Sequence, residues 1–280
     1  MRILSIQSHV SYGHVGNSAA VFPLQRLGHE VWPVLTVNFS NHTGYGAWRG
    51  PLIDPADVAD VVTGIEERGA LASCDAVLSG YQGSPAIADV VVDAVKRVKA
   101  ANPAATYTCD PVMGNATSGC FVDPEIPPII RERVVPVADV ITPNQFELGF
   151  LTDTTPSTLD EVLASADLAR ATGPSTILVT SVETGDRTIG LMAVTDNGAW
   201  LVETPLLPMK ANGSGDITAA LFTAHLHETG APDAALARTV SSVFAVLRRT
   251  LESGERELRL VAAQDAIASP ACEFEVRRVR

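Results

Sequence analysis

The residues best suited to chemistry in this chain run Met209-Lys210-Ala211-Asn212-Gly213-Ser214-Gly215-Asp216. Gly213 and Gly215 flank a small hydroxyl residue, Ser214, and a carboxylate follows at once. Beyond it Ile217, Ala220, Leu221 and Ala224 fall at i, i+3, i+4 and i+7, the spacing of one helix face. The glycines therefore stand at a helix entrance. There the backbone N–H groups lack partners, the macrodipole is positive, and glycine lets a ligand approach the chain closely. Such a place cradles a phosphate or an oxyanion. Asp216 falls in the first turn, where the dipole favours its ionised form. A carboxylate beside an anion site can take the proton of a substrate hydroxyl while the neighbouring N–H groups neutralise charge on a phosphoryl group in transfer. The same residues would equally make a plain glycine-rich turn whose acidic residue favours the helix start, so the rest of the chain has to decide.

Other chemically loaded residues follow strand-like runs. Asp110 ends Thr106–Cys109 and precedes Pro111 and Gly114, a setting for orienting a metal ion or phosphate or for forming a turn. Asn144 and Glu147 are i and i+3 at a helix start. They form either a capping box or, with Glu147 holding a hydrated Mg²⁺, part of a nucleotide-phosphate site. Tyr81 lies just past Ala76–Ser79, where its ring could cover a flat ligand or pack as a boundary tyrosine. Ser8, His9 and Tyr12 follow the first strand, Asn41 to Tyr45 the second, and Thr180 and Ser181 close a later one.

The elements that must position these groups read as alternating strands and helices. Arg2–Gln7 reads as a buried strand, Ser8–Gly16 as a polar loop, Gly16–Leu27 as a helix and Glu30–Asn38 as the second strand, which together make a βαβ unit. Phe39–Gly50 reads as a polar and aromatic loop, either a connection or a mobile lid. Helices are expected at 55–68, 85–100, from 144, 157–171, to about 227 and over 233–251. Strands are expected at 76–79, 106–109, 137–142 and 176–181. Thr188–Thr195 and Ala199–Thr204 flank Asp196-Asn197-Gly198, a hairpin signal that adds antiparallel members. The expected fold is a single α/β domain over residues 1–280: a central, mostly parallel twisted sheet with helices on both faces and some antiparallel edge strands. In such a sheet the loaded segments converge at the strand C-termini.

Composition narrows the partners. A formal net charge of −12 argues against binding nucleic acid or an anionic membrane, so an anionic ligand must be held by local groups, helix N-termini and metal ions. The apolar start at Met1–Ile6 is too short for a signal core or a membrane span, which reads as a cytoplasmic protein. The four cysteines, Cys74, Cys109, Cys120 and Cys272, show neither a disulfide framework nor zinc spacing. No Gly-x-Gly-x-x-Gly follows the first strand, which disfavours a dinucleotide enzyme.

Over nearly its whole length the sequence resembles the pyridoxal kinases of the ribokinase-like superfamily, especially their bacterial branch. The matching stretches are Ser5–Val10, Gly16–Ala20, Phe39–Thr43, Leu78–Tyr81, Cys109–Gly114, Thr142–Asn144 through Glu147, and Gly213–Asp216. The resemblance implies ATP-dependent phosphorylation of the 5′-hydroxymethyl group of pyridoxal. It makes Asp216 the base and Gly213, Ser214 and Gly215 the anion hole for the γ-phosphoryl group. Ser8 and Thr43 would contact the polar edge of the pyridine ring, with Tyr81 beside it and His42 and Tyr45 in the nearby loop. Asp110, Asn144, Glu147, Thr180 and Ser181 would face ATP phosphates and Mg²⁺, with Asp110 and Glu147 toward the metal. A monovalent cation such as K⁺ is common in relatives, and many are homodimers. Asn212 stands where relatives often carry an apolar residue and could add a hydrogen bond to the ring. Cys120, in a loop beyond Asp110, is either an ordinary thiol or one that contacts or transiently captures the aldehyde. The alternatives are a kinase for another small heteroaromatic alcohol, such as hydroxymethylpyrimidine, and a non-catalytic B6-binding protein.

Overall fold

Continuous burial along the first strand sets the architecture of the computed structural model, which describes residues 1–280. Within β1 (Arg2–Tyr12), Leu4 and Ile6 join one buried cluster while Ile3 joins another on the opposite face. A strand buried on both faces needs a helical layer on each side. The chain supplies α1 (Asn17–Arg26), β2 (Glu30–Asn41), α2 (Pro55–Glu67), β3 (Ala76–Ser79), α3 (Ile87–Ala101) and β4 (Thr106–Cys109). Next come a small hairpin of β5 (Gly114–Asn115) and β6 (Gly119–Cys120), then α4 (Ile126–Ile129) and β7 (Val140–Ile141). After these come α5 (Gln145–Thr152), α6 (Leu159–Arg170), β8 (Thr176–Gly185), β9 (Thr188–Thr195) and β10 (Gly198–Pro205). The chain ends with α7 (Ser214–Thr229), α8 (Pro232–Ser253), α9 (Gln264–Ala268) and β11 (Val276–Arg278).

The nine-stranded sheet runs β11-β10-β9-β8-β7-β4-β3-β1-β2. Pairings from β2 across to β8 are parallel and those from β8 to β10 antiparallel, as the sequence led us to expect, and the unexpected β11 adds one more antiparallel edge strand. One face packs on α2, α3, α5 and α6 through a 37-residue apolar cluster that includes Leu4, Val91, Tyr107, Leu148 and Val162. On the other face lie α1, α7 and α8, with Ala20, Leu24, Ala220 and Ala224 against Ile3 and Leu78. Since β1 has β2 on one side and β3 on the other, successive connections leave it in opposite directions. That opens a crevice at the strand C-termini. No helix is long and apolar enough to cross a membrane.

Several boundaries differ from expectation. Ser8–Tyr12 is not a loop: β1 continues through it, after a register shift between Gln7 and His9, and pairs with Asn38–Asn41 of β2. The cause is apolar, because Val10, Val15, Val37 and Phe39 form their own buried cluster with Tyr81 packed on it. The loop expected at 39–50 accordingly starts only after Asn41, and residues 49–53 return to bond the outer edge of β2 through Pro51, Arg49 and Ile53. That self-pairing blunts an otherwise open edge. Of the expected 137–142 strand only Val140–Ile141 forms β7, since Val135–Val137 closes a helical stretch that begins at Ile126. Cys120 sits in the β5–β6 hairpin, paired to Gly114, and not in an irregular loop.

Candidate active site

Gly213 caps α7 in the left-handed conformation, φ 85°, and no side chain caps the helix. The N–H groups of its first turn therefore face outward without intrahelical partners. The Ser214 hydroxyl is turned away, donating to the Ala211 carbonyl at 3.0 Å. Gly213 is required for a second reason: a Cβ there would stand 1.9 Å from the His14 carbonyl oxygen. The turn at residues 13–16 is thus pressed onto the entrance of α7. Through that contact the Gly16 N–H reaches the Asp216 carboxylate. Asp216 nevertheless titrates high, pushed up to about 6 by burial, with the Gly16 N–H and its own N–H opposing the shift. Desolvation outweighs the helix dipole, which favours ionisation, although at neutral pH the group is still mostly a carboxylate.

Two more carboxyls share the crevice. Asp110, at the end of β4, is 6% exposed, and its Oδ1 accepts a hydrogen bond from the Thr142 hydroxyl at 3.1 Å. Burial holds its pKa well above the usual range, with the charges of Glu147 and Asp216 adding to the shift. Its Oδ2 is 4.0 Å from where a side chain on Gly215 would begin. Glu147, 4% exposed, completes a capping box: Asn144 Oδ1 accepts the Glu147 N–H at 2.9 Å and Glu147 Oε2 accepts the Asn144 N–H at 3.0 Å. Its Oε1 also accepts the N–H groups of Met113 at 2.9 Å and Gly114 at 3.3 Å. Burial raises it to about 7 against those three backbone bonds. The capping geometry expected from the spacing is therefore present. It leaves Glu147 free to face a metal only through a water or a remaining lone pair. No Lys or Arg is among the groups that shift these three carboxyls, so a hydrated divalent cation would relieve their mutual repulsion.

Beside the anion cradle lies a cleft of about 340 Å³ lined by Asn144, Thr180, Ser181, Ser214 and Gly215 together with Leu207, Met209, Val243, Phe244 and Leu247. It brings five of the residues expected near nucleotide phosphates and the anion hole to one apolar wall. That wall was not foreseen as part of a site, although Val240, Val243, Phe244 and Leu247 keep a helical stripe legible in the sequence. Ser181 holds φ 54°, unusual for a residue other than glycine, where β8 and β9 shift register.

The groups expected at the ring lie on the other side of α7's entrance. Ser8 is buried, with its carbonyl and hydroxyl oxygens against Gly16. His42 caps the short turn Thr43–Tyr45, its Nδ1 accepting the Gly44 N–H at 3.0 Å, which fixes the remaining proton on Nε2. Burial lowers its pKa, partly offset by Glu257. Asn212 Nδ2 is 3.8 Å from where a Gly44 side chain would begin, so Asn212 adjoins that turn. Tyr81 packs on the Val10–Phe39 cluster, and burial pushes its phenol pKa up. Cys120 is exposed, and its partner Gly114 ties the hairpin to Glu147 and Asn144. The residues that sequence reasoning missed are Gly13, His14, Arg256 and Glu257, which bind these turns together.

Residues 55–260 match the family model for phosphomethylpyrimidine kinase. Over 282 residues, spanning all of both chains, the sequence is 70% identical to pyridoxal kinase PdxY of Leifsonia xyli subsp. xyli. It is 60% identical over 288 residues, again all of both, to pyridoxal kinase PdxY of Corynebacterium diphtheriae. Among solved structures it resembles pyridoxal kinase from Leishmania donovani in complex with ADP and pyridoxamine. That match has a TM-score of 0.94 and 28% identity, covering 100% of this chain and 99% of the other. The ribokinase-like fold expected from the sequence is the fold of these relatives.

Proposed function

The chain belongs to the phosphomethylpyrimidine kinase family and, within it, to the pyridoxal kinases, and we propose which of its residues carry the reaction. It transfers the γ-phosphoryl group of ATP to the 5′-hydroxymethyl group of pyridoxal, giving pyridoxal 5′-phosphate in vitamin B6 salvage. The assignment of roles rests on one observation: Asp216 and the uncapped start of α7 form a single unit between the apolar cleft and the turn at residues 13–16. In our reading the N–H groups of Gly213, Ser214 and Gly215 hold the transferred phosphoryl group, and Asp216 accepts the hydroxyl proton. Phosphoryl transfer is largely dissociative, so a weak base suffices when position and charge neutralisation are supplied. Ser8, Thr43, Tyr81, His42 and Asn212 orient the ring. Asn144, Thr180 and Ser181 face the nucleotide phosphates. Asp110 and Glu147 would hold Mg²⁺ through water, and the ion would neutralise phosphate charge. K⁺ as an accessory cation, contact of Cys120 with the substrate aldehyde, a single-domain homodimer and a cytoplasmic location complete the proposal.

The family model is described as phosphomethylpyrimidine kinase, so the second reading is a kinase for a related pyrimidine alcohol such as hydroxymethylpyrimidine. An ATP-dependent phosphorylation assay across pyridoxal, pyridoxine, pyridoxamine and hydroxymethylpyrimidine separates the two. Pyridoxal is expected to give the highest kcat/KM, and preference for the pyrimidine would overturn the reading.

A further inference from the structure

Two turns on which the site depends both end on a segment with no part in the chemistry proposed so far. The turn at residues 13–16 brings the Gly16 N–H to Asp216, and the turn at 42–45 carries His42 and Thr43. The second turn buries none of its residues, and its aromatic packing is one edge-on contact between Tyr45 and Tyr12, their ring centres 6.2 Å apart, so polar bonds must supply much of its anchoring. Instead both are bonded to Arg256 and Glu257, just beyond α8. Glu257 Oε2 accepts the His14 N–H at 3.0 Å, and its Oε1 accepts the Tyr45 phenol at 2.6 Å. Arg256 donates to the Gly44 carbonyl at 3.0 Å, and its guanidinium lies 3.8 Å from the centre of the Tyr45 ring. Gly13, at φ 94°, lies so close that a Cβ would fall 2.2 Å from Glu257 Oε2.

The segment is itself well anchored. Leu258 and Leu260 are each 1% exposed, in the apolar cluster that also holds Ile217 and Leu221 of α7. Leu258 Cδ1 is 3.2 Å from where a Gly213 side chain would begin. Three consecutive residues thus touch the 42–45 turn, the 13–16 turn and the glycine at the start of α7.

We propose that Arg256 and Glu257 are positioning residues that strap the 42–45 turn over the alcohol-substrate pocket and the 13–16 turn against α7, and so set affinity for the alcohol but not for ATP. The kinetic part of this inference rests on the pyridoxal kinase reading. Glu257 holds the Tyr45 phenol protonated, its pKa pushed up to about 12, so the strap's donor is present wherever the enzyme works.

The test compares Glu257→Ala, Glu257→Gln, Tyr45→Phe and the Glu257→Ala/Tyr45→Phe double variant in steady-state kinetics and in amide hydrogen exchange. Loss of a charge-assisted bond is expected to raise the pyridoxal KM about tenfold in Glu257→Ala, with the ATP KM within about twofold. Exchange at residues 13–14 and 42–46 is expected to accelerate in step. Glu257→Gln, which keeps an acceptor for the His14 N–H and a donor for the Tyr45 oxygen, should restore most of the affinity. Adding Tyr45→Phe to Glu257→Ala should change little further, because both remove one interaction. If Glu257→Ala fails to fold, Tyr45→Phe carries the same comparison. Unchanged exchange in both turns, equal rises in both KM values, or additive effects would overturn the strap. Should the wild type not phosphorylate pyridoxal at all, the kinase reading falls and the exchange data alone still decide the strap.

Discussion

A methyl group on Gly16 would stand 2.3 Å from both the carbonyl oxygen and the hydroxyl oxygen of Ser8. The two residues are thus in backbone contact, with Gly16 at φ 53° and ψ −132°, a conformation open to glycine alone. That contact aims the Gly16 N–H at Asp216. Gly16→Ala should therefore lower kcat at least about tenfold and cost about 1–3 kcal/mol of stability. Steady-state kinetics and denaturant unfolding check both; a folded variant with wild-type kcat would dissociate Gly16 from the base.

Asp216 must be ionised to accept a proton, and its pKa is raised to about 6. The kcat/KM for pyridoxal should therefore fall about tenfold per pH unit on the acid side of that value and level off above it. A pH profile of kcat/KM measures this, and a flat profile down to pH 5 would contradict it.

Burial raises the carboxyls of Asp110 and Glu147, with the charges of Glu147 and Asp216 adding to the shift at Asp110 and that of Asp216 adding to the shift at Glu147. A raised carboxyl pKa means that the folded state binds its proton more tightly than the unfolded chain. Stability is then lost as pH rises from the ordinary carboxyl range through the folded pKa, near 7 for Glu147. Asp110→Asn keeps an acceptor for Thr142 and removes one charge, so it should stabilise the protein by about 1–2 kcal/mol at pH 8 while impairing activity. The gain should shrink toward pH 5. Thermal melting at the two pH values tests this, and a Tm below wild type at pH 8 would contradict it.

Asn17 supports the whole region from beneath. It is 2% exposed; its Nδ2 donates to the carbonyls of Ser5, Gln7 and Val34 at 3.3, 3.2 and 3.1 Å, and its Oδ1 accepts the Ser5 hydroxyl at 2.7 Å. Asn17→Ala would strand those groups in the core and should cost about 2–4 kcal/mol. Urea unfolding measures the loss, and a change below about 0.5 kcal/mol would show that the network relaxes.

The order of strands and helices, and the capping box at Asn144 and Glu147, were legible because each depends on local periodicity or a three-residue spacing. Gly213 was legible as a glycine at a helix entrance, but not its contact with His14, which is tertiary. Ser8–Tyr12 misled because its polar residues outnumber Val10, and only pairing with Phe39 and Val37 makes a strand of it. Glu257 was silent: its partners His14 and Tyr45 lie 243 and 212 residues earlier in the chain, beyond any local pattern. The apolar wall of the cleft looked like ordinary core stripe, because a helix face lining a ligand cleft carries the same periodicity as one facing another helix.

The central claim is that the first-turn carboxylate of α7 takes the proton while the amides beside it hold the phosphoryl group. Asp216→Ala tests it most directly, with ATP affinity and pyridoxal turnover measured on the same folded preparation. ATP should bind nearly as in wild type while turnover falls by about 10² or more. Turnover close to wild type would remove Asp216 from the reaction.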